Sequence, residues 1–214
     1  MKSKKTSYLL AAMVVVMSAK ANITAPTQPL SGIYETASDF TQKKLSHPLS
    51  VNDRKNHLVL HAMFGSSKID IVENGVKTAY KKSDIFGYRE NGVDYRIAGD
   101  QVLTVLDTPD FLMYSVLTET PIMKGEVKKE THYYFSVSAN EGVKELTKEN
   151  LKQAFASNNK FRYYIDAFFK SDKDLFAYDG QLKEYKVKYV YEASLKKGDG
   201  LQASNNAASL LPIM

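Results

Sequence analysis

The run Phe86-Gly87-Tyr88-Arg89-Glu90-Asn91-Gly92-Val93-Asp94-Tyr95-Arg96-Ile97 decides how this chain reads. On both sides of Asn91-Gly92, apolar or aromatic residues alternate with polar ones, which is the period of a strand and not of a helix. A two-residue type I′ turn needs positive φ at both central positions, and Asn followed by Gly meets that need at little steric cost. A hairpin is expected, with Phe86 and Tyr88 set against Val93, Tyr95 and Ile97. Glu73-Asn74-Gly75-Val76 repeats the turn between Ile69/Ile71 and Thr78/Tyr80. The likeness stops at the turn, so it predicts a second hairpin and not a solenoid, which needs more copies.

The same period extends outward from His57 to Ser138. Leu58, Leu60, Ala62 and Phe64 alternate with Val59, His61 and Met63. Val102–Leu106 is apolar on both sides and suits a central strand, Phe111–Leu117 follows Thr108-Pro109-Asp110, and Tyr133, Phe135 and Val137 share a face. About eight strands joined by short turns are expected, and such turns favour antiparallel neighbours. Residues 22–56, broken by Pro26, Pro29 and Pro48, are read as an irregular N-terminal segment.

After Gly142 the period lengthens. Thr147 is a plausible N-cap, with Glu149 in the first turn and Leu151, Ala154 and Phe155 as an apolar stripe. Ser157-Asn158-Asn159 interrupts it. Phe161, Tyr164, Ile165, Phe168 and Phe169 then fall at helical spacing. Ser171 and Asp174 read as a cap for a short helix at Leu175–Phe176. Residues 182–196 fit both periods, with helix slightly favoured. The fold class expected is α+β: an antiparallel sheet of about eight strands, twisted or partly closed (57–140), with helices of the same domain (141–197) packing on it. Residues 198–214 read as a mobile tail.

Residues 1–21 read as a signal peptide. Lys2, Lys4 and Lys5 precede an apolar run from Leu9 to Met17, and Ala19-Lys20-Ala21 offers a cleavage site. An exported protein of the periplasm, cell surface or extracellular space is expected, beginning at Asn22 and with no transmembrane segment in the mature chain. Four of the 29 basic residues and none of the 24 acidic ones lie in this leader, so 25 bases remain against 24 acids. A nearly neutral protein has no global field for a polyanion, so nucleic acid is not an expected partner. Cysteine is absent, which removes disulfides, thiol catalysis and lipoprotein acylation.

Lys82-Ser83-Asp84-Ile85-Phe86-Gly87-Tyr88-Arg89 followed by Asp94-Tyr95-Arg96 resembles a pattern in small exported proteins of the Bacteroidota. Leu146-Thr147-Lys148-Glu149-Asn150-Leu151-Lys152, with Ala154-Phe155 and Asn158, is similar to the helical part of the same group. The resemblance covers about residues 57–190 in order. It implies export and a strands-then-helices architecture, and carries over no activity and no catalytic residue.

Tyr88, Arg89, Tyr95 and Arg96 form the most suggestive chemical group. Two outward guanidinium forks near each other suit a carboxylate or phosphate; salt bridging to Glu90, Asp94 or Asp84 is the simpler use. The aromatic stripe on residues 161–169 suits helix-on-sheet core, or an apolar pocket between helix and sheet. His57 and His61 lie on strand-period sequence, about 13 Å apart, too far to share a zinc ion. Asp107 and Asp110 flank a turn, and Asp172 and Asp174 begin a calcium loop that fails at Ala177 and Lys183. Gly65-Ser66-Ser67 lacks a nucleophile elbow. The Lys and Tyr residues of 183–191 are too mildly basic a set for nucleic acid. No cofactor, metal or catalytic residue is assigned. The expected function is a non-catalytic binding or scaffolding protein outside the cytoplasm, with an unknown protein or small-molecule partner. The alternatives are a binder of a small apolar or acidic ligand between sheet and helices, with Arg89 or Arg96 at its mouth, and a hydrolase with a non-standard site.

Overall fold

The structure, a computed structural model, describes residues 29–61, 66–122 and 126–196; the expected leader (1–21) and tail (198–214) lie outside them. The described strands are β1 (Ser31–Tyr34), β2 (Ser46–Leu49), β3 (His57–Val59), β4 (Lys68–Glu73), β5 (Val76–Lys81), β6 (Gly87–Glu90), β7 (Val93–Ala98), β8 (Gln101–Asp107), β9 (Leu112–Pro121), β10 (Val127–Ser136), β11 (Lys144–Glu145), β12 (Tyr178–Asp179) and β13 (Glu184–Tyr185). The α-helices are α1 (Ala37–Thr41), α2 (Lys148–Ala154), α3 (Asn159–Phe168) and α4 (Lys186–Leu195).

Both Asn-Gly turns form as their chemistry requires. Asn74 and Gly75 take φ of 53° and 80°, and Asn91 and Gly92 take 50° and 82°. The first joins β4 to β5 and the second joins β6 to β7, each with in-register antiparallel pairing. The two turns belong to different sheets, yet the N-terminal segment ties down both. Gly75 N–H donates to the Lys55 carbonyl and Gly92 N–H to the Leu30 carbonyl, while Asn52 Nδ2 donates to Asn91 Oδ1.

The main sheet is antiparallel, open and eight-stranded, in the order β11-β10-β9-β8-β7-β6-β1-β2. The α+β class stands, but the membership of the sheet differs from the sequence expectation. β3, β4 and β5 leave it to form a three-stranded sheet of their own, and β1 and β2 join it from the segment read as irregular. All four residues of β1 are buried, so it has no alternation by which to be seen. Pro48 sits in β2, an edge strand, where a missing N–H costs no internal ladder bond. Gly87 is forced by close approach: a Cβ there would overlap the Tyr95 carbonyl oxygen on the neighbouring strand.

Strand register assigns the faces. Ile33, Tyr88 and Tyr95 lie opposite one another on one face, and Tyr34, Gly87, Arg96 and Leu103 on the other. The three-stranded sheet covers the first face near β1 and β6, burying Ile69 and Ile71 with Ile33, Ile85 and Tyr88. The helices pack on Met113 and Phe135 of β9 and β10. The second face is covered by α1, which brings Phe40 onto Tyr34, and by Ala139 and Val143. Burial of these side chains, about 1.5–3 kcal/mol each, supplies the main driving force in a chain without disulfides.

The helical expectations hold except at Leu175–Phe176, where the expected short helix is replaced by a 3-10 turn one step earlier. Thr147 caps α2, its Oγ1 accepting from Asn150 N–H at 3.1 Å. Asn158, read as an interruption, is the N-cap of α3, with Oδ1 accepting from Phe161 N–H at 3.0 Å. α3 buries Phe161, Tyr164 and Ile165. Ser171 and Asp174 form the expected capping box, on a 3-10 turn at Asp172–Asp174 that delivers the buried Leu175. The ambiguous 182–196 divides: Glu184–Tyr185 is strand, and the helix begins at Lys186. Among the described residues, no helix is long and apolar enough to cross a membrane.

Candidate binding cleft

The hairpin residues Tyr88, Arg89, Tyr95 and Arg96 are brought together as two pairs on opposite faces. Tyr88 and Tyr95 stack with ring centroids 4.8 Å apart, beneath the small sheet. Arg89 and Arg96 share the other face but are only 7 % and 8 % exposed, and they serve different partners. Arg89 grips Asp94, directly opposite it, with Nε to Oδ1 at 2.7 Å and Nη2 to Oδ2 at 2.9 Å. Lys43 Nζ and the Tyr34 hydroxyl also donate to Asp94. Burial pushes the Asp94 carboxyl up, yet the donors from Arg89, Lys43 and Tyr34 outweigh it and hold it below the usual carboxylate range. Burial and the Asp94 charge together push the Tyr34 phenol well up.

Arg96 is held without a carboxylate among the described residues. Nη1 donates to the Tyr114 hydroxyl at 2.7 Å and to Ser136 Oγ at 2.9 Å, and Nη2 donates to the Glu141 carbonyl at 2.7 Å. Its plane lies over Phe86, 5.0 Å from the ring centroid, and Nε is buried without a hydrogen-bond partner. This guanidinium ties β7, β9, β10 and the 137–141 loop together.

Each histidine meets its own neighbour. His47 contacts Glu73, His57 the Asp53 carbonyl, and His132 the Thr118 hydroxyl. His61 Nε2 lies 2.7 Å from Asp70 Oδ2, which Lys77 also approaches. Asp70 is buried; burial raises its carboxyl pKa, but the bonds from Lys77 and His61 outweigh that and lower it. His61 holds φ of 50°, an uncommon conformation for a residue with a Cβ. Among the described residues, no cluster of three or more His, Asp or Glu side chains is placed to hold a metal.

The space between sheet and helices is filled by rings. Phe155 packs against Phe161 at 5.3 Å and Tyr191 at 4.9 Å, and Phe111 against Tyr191 at 5.5 Å. Lys188 of α4 is 1 % exposed and donates to the carbonyls of Pro109 and Phe111. Burial holds its ammonium down to about 8, against the pull of Asp107 and Asp110.

A cleft of about 700 Å³ opens elsewhere, where the small sheet meets the β7–β8 turn. It is lined by Ser66 and Ser67 before β4, Lys81 at the end of β5, Lys82 and Ser83 of the following 3-10 turn, and Gly99-Asp100, with Ile85 and Ile97 as its apolar part. Lys82 N–H donates to the Ser67 carbonyl, extending the β4–β5 ladder along the small-sheet side of the cleft. Lys68 stands directly opposite Lys81. None of Lys68, Lys81 and Lys82 is within ion-pair distance of a carboxylate among the described residues. The sequence reading passed over these lysines, although the signal was present: a two-residue turn at Asn74-Gly75 sets Lys68 opposite Lys81 by counting. That Lys82 and Ser83 then meet Ile97 and Gly99 across a cleft follows only from how two sheets dock.

Compared with known proteins, the chain matches no family model, no curated protein and no solved structure.

Proposed function

We propose that this is an exported, non-catalytic binding protein whose ligand occupies the cleft between the three-stranded sheet and the β7–β8 turn. One observation carries the reading. The cleft gathers two lysines and three serines around two isoleucines, and those lysines have no carboxylate partner among the described residues. Arg89, Arg96 and Lys188, by contrast, are committed to the fold. Pockets that combine apolar lining with a few polar groups are the usual ligand sites. The leader Lys2–Ala21 supports export.

The cleft is tested by screening the purified protein against a panel of small metabolites by ligand-observed NMR, beside Ser67→Trp. Ser67 is exposed and lines the cleft, so the indole fills space without disturbing the core. Binders lost in the variant, with its circular dichroism unchanged, support the reading; binders indifferent to the indole overturn it. Export is tested by mass spectrometry of cell fractions. A mature N-terminus at Asn22 outside the cytoplasm is expected, and intact Met1 in the cytoplasmic fraction alone overturns it.

Hydrolysis has one observation in its favour, the convergence of His61 and Lys77 on buried Asp70. Turnover of ester or peptide substrates that disappears in Asp70→Asn would support it. Equal background rates in both proteins would remove it.

A further inference from the structure

We infer that the group this cleft recognises is an oxyanion: a phosphate, sulfate or carboxylate borne by a small molecule such as a sugar. The inference rests on the cleft being the binding site and adds the chemistry of what enters it. Lys68 and Lys81 are direct cross-strand partners, so their side chains leave the same face of the sheet side by side. Like charges placed directly opposite in an antiparallel pair destabilise it, and nothing in the folding of this hairpin requires them. Asn74-Gly75 would set the same register with any pair at 68 and 81.

Lys82 follows immediately; it and Lys81 line the cleft, which Lys68 only flanks through its pairing with Lys81, and Lys82 too is without a carboxylate partner among the described residues. Asp100 lines the cleft and offsets one of its two lysines, and Asp84, which accepts from the Ser83 hydroxyl at 2.8 Å, is not among the lining residues, so the described lining keeps a net positive charge. Ser66 Oγ accepts from Lys68 N–H at 3.1 Å, which leaves its own O–H to donate into the cleft. An oxyanion there would offset the charge of Lys81 and Lys82 and accept from ammonium and hydroxyl at once, in charge-assisted bonds stronger than neutral ones. A neutral ligand would leave that charge in place. Ile85 and Ile97 offer a surface for the carbon skeleton that carries the charged group.

The test is calorimetric titration of the purified protein at low salt with four probes: inorganic phosphate, glucose 6-phosphate, glucuronate and glucose. Saturable binding of at least one charged probe is expected, none of glucose, and weakening as salt is raised. The order among the charged probes separates a free phosphate from a sugar-borne phosphate or carboxylate. Lys81→Ala and Lys82→Ala should each weaken binding at least about tenfold. Lys81→Glu separates binding from folding: it gives Lys68 an opposite charge, so the thermal midpoint should rise while binding is lost.

Glucose binding as well as the charged probes would overturn the oxyanion and leave the cleft standing. Charged-probe binding undiminished in both alanine variants would place the anion elsewhere and overturn the inference. Absence of saturable binding by any charged probe overturns it as well. If the metabolite panel then yields binders indifferent to Ser67→Trp, the cleft itself falls with it.

Discussion

Arg89 and Asp94 face each other across the β6–β7 hairpin and share two hydrogen bonds, of 2.7 and 2.9 Å, on a side of the sheet closed by Tyr34 and α1. A buried pair of this kind is a weak net contributor to stability as a whole, but removing one member leaves the other charged and unpaired. Asp94→Asn should therefore lower the free energy of unfolding by about 3–5 kcal/mol. Urea denaturation followed by circular dichroism reads it, and a loss under 1 kcal/mol would show that the pair is solvated.

Acid should weaken the fold through the same carboxylate and through Asp70. Both are held below the ordinary carboxylate value in the folded protein by their donors. The unfolded chain takes up these protons first as pH falls, so their contribution is complete above the ordinary value and is lost as pH drops through the lowered one. The unfolding free energy should decline in that window, and Asp94→Asn should flatten the decline. An unchanged acid profile in the variant would assign the effect to other groups.

Lys188 sets a slope of the same sign in alkali. Its folded pKa, about 8, lies below that of a free lysine, so between the two the unfolded chain binds more protons and stability rises with pH. The gain approaches about 1.4 kcal/mol per pH unit for one proton. It should be clearest between pH 8 and 9.5, about where ordinary tyrosines begin to ionise. Above that the slope reverses, because Tyr34 and Tyr88 resist ionisation in the fold and their raised values cost stability as pH climbs. Chemical denaturation across this range, with Lys188→Met as control, checks it: the rise should vanish in the variant. A neutral amine still has two N–H groups for the carbonyls of Pro109 and Phe111.

Gly87→Ala should be among the most damaging single-atom-group additions in the protein. The new methyl would meet the Tyr95 carbonyl oxygen, a backbone atom in the adjacent strand that cannot swing aside. A loss of about 3 kcal/mol or more is expected, from separation of β6 and β7. Thermal unfolding checks it; a shift within error would mean the strands can part locally without cost.

Much of the secondary structure was legible because it is local. Thr147 and Ser171 carry their caps within three residues, α3 repeats its apolar face every turn, and Asn91-Gly92 closes its hairpin through backbone angles alone. β1 was not legible, since Ser31-Gly32-Ile33-Tyr34 is buried on both sides and has no alternation. Nor was the fate of Arg89 and Arg96. The alternation of the hairpin put both on one face, but only the arrival of α1 and of the segment carrying Ala139, Glu141 and Val143 made that face an interior.

The sequence by itself determined the helices with their caps, the strands of the Asn-Gly hairpins and, through a two-residue turn, the opposition of Lys68 and Lys81. Those features depend on neighbours within one turn or one hairpin, where φ preferences and side-chain period act directly. Tertiary structure alone decided which strands share a sheet, which face of each is buried and where a cleft remains. These follow from surfaces that meet only after distant segments dock, as when the 82–83 turn comes to lie beside Ile97 and Gly99.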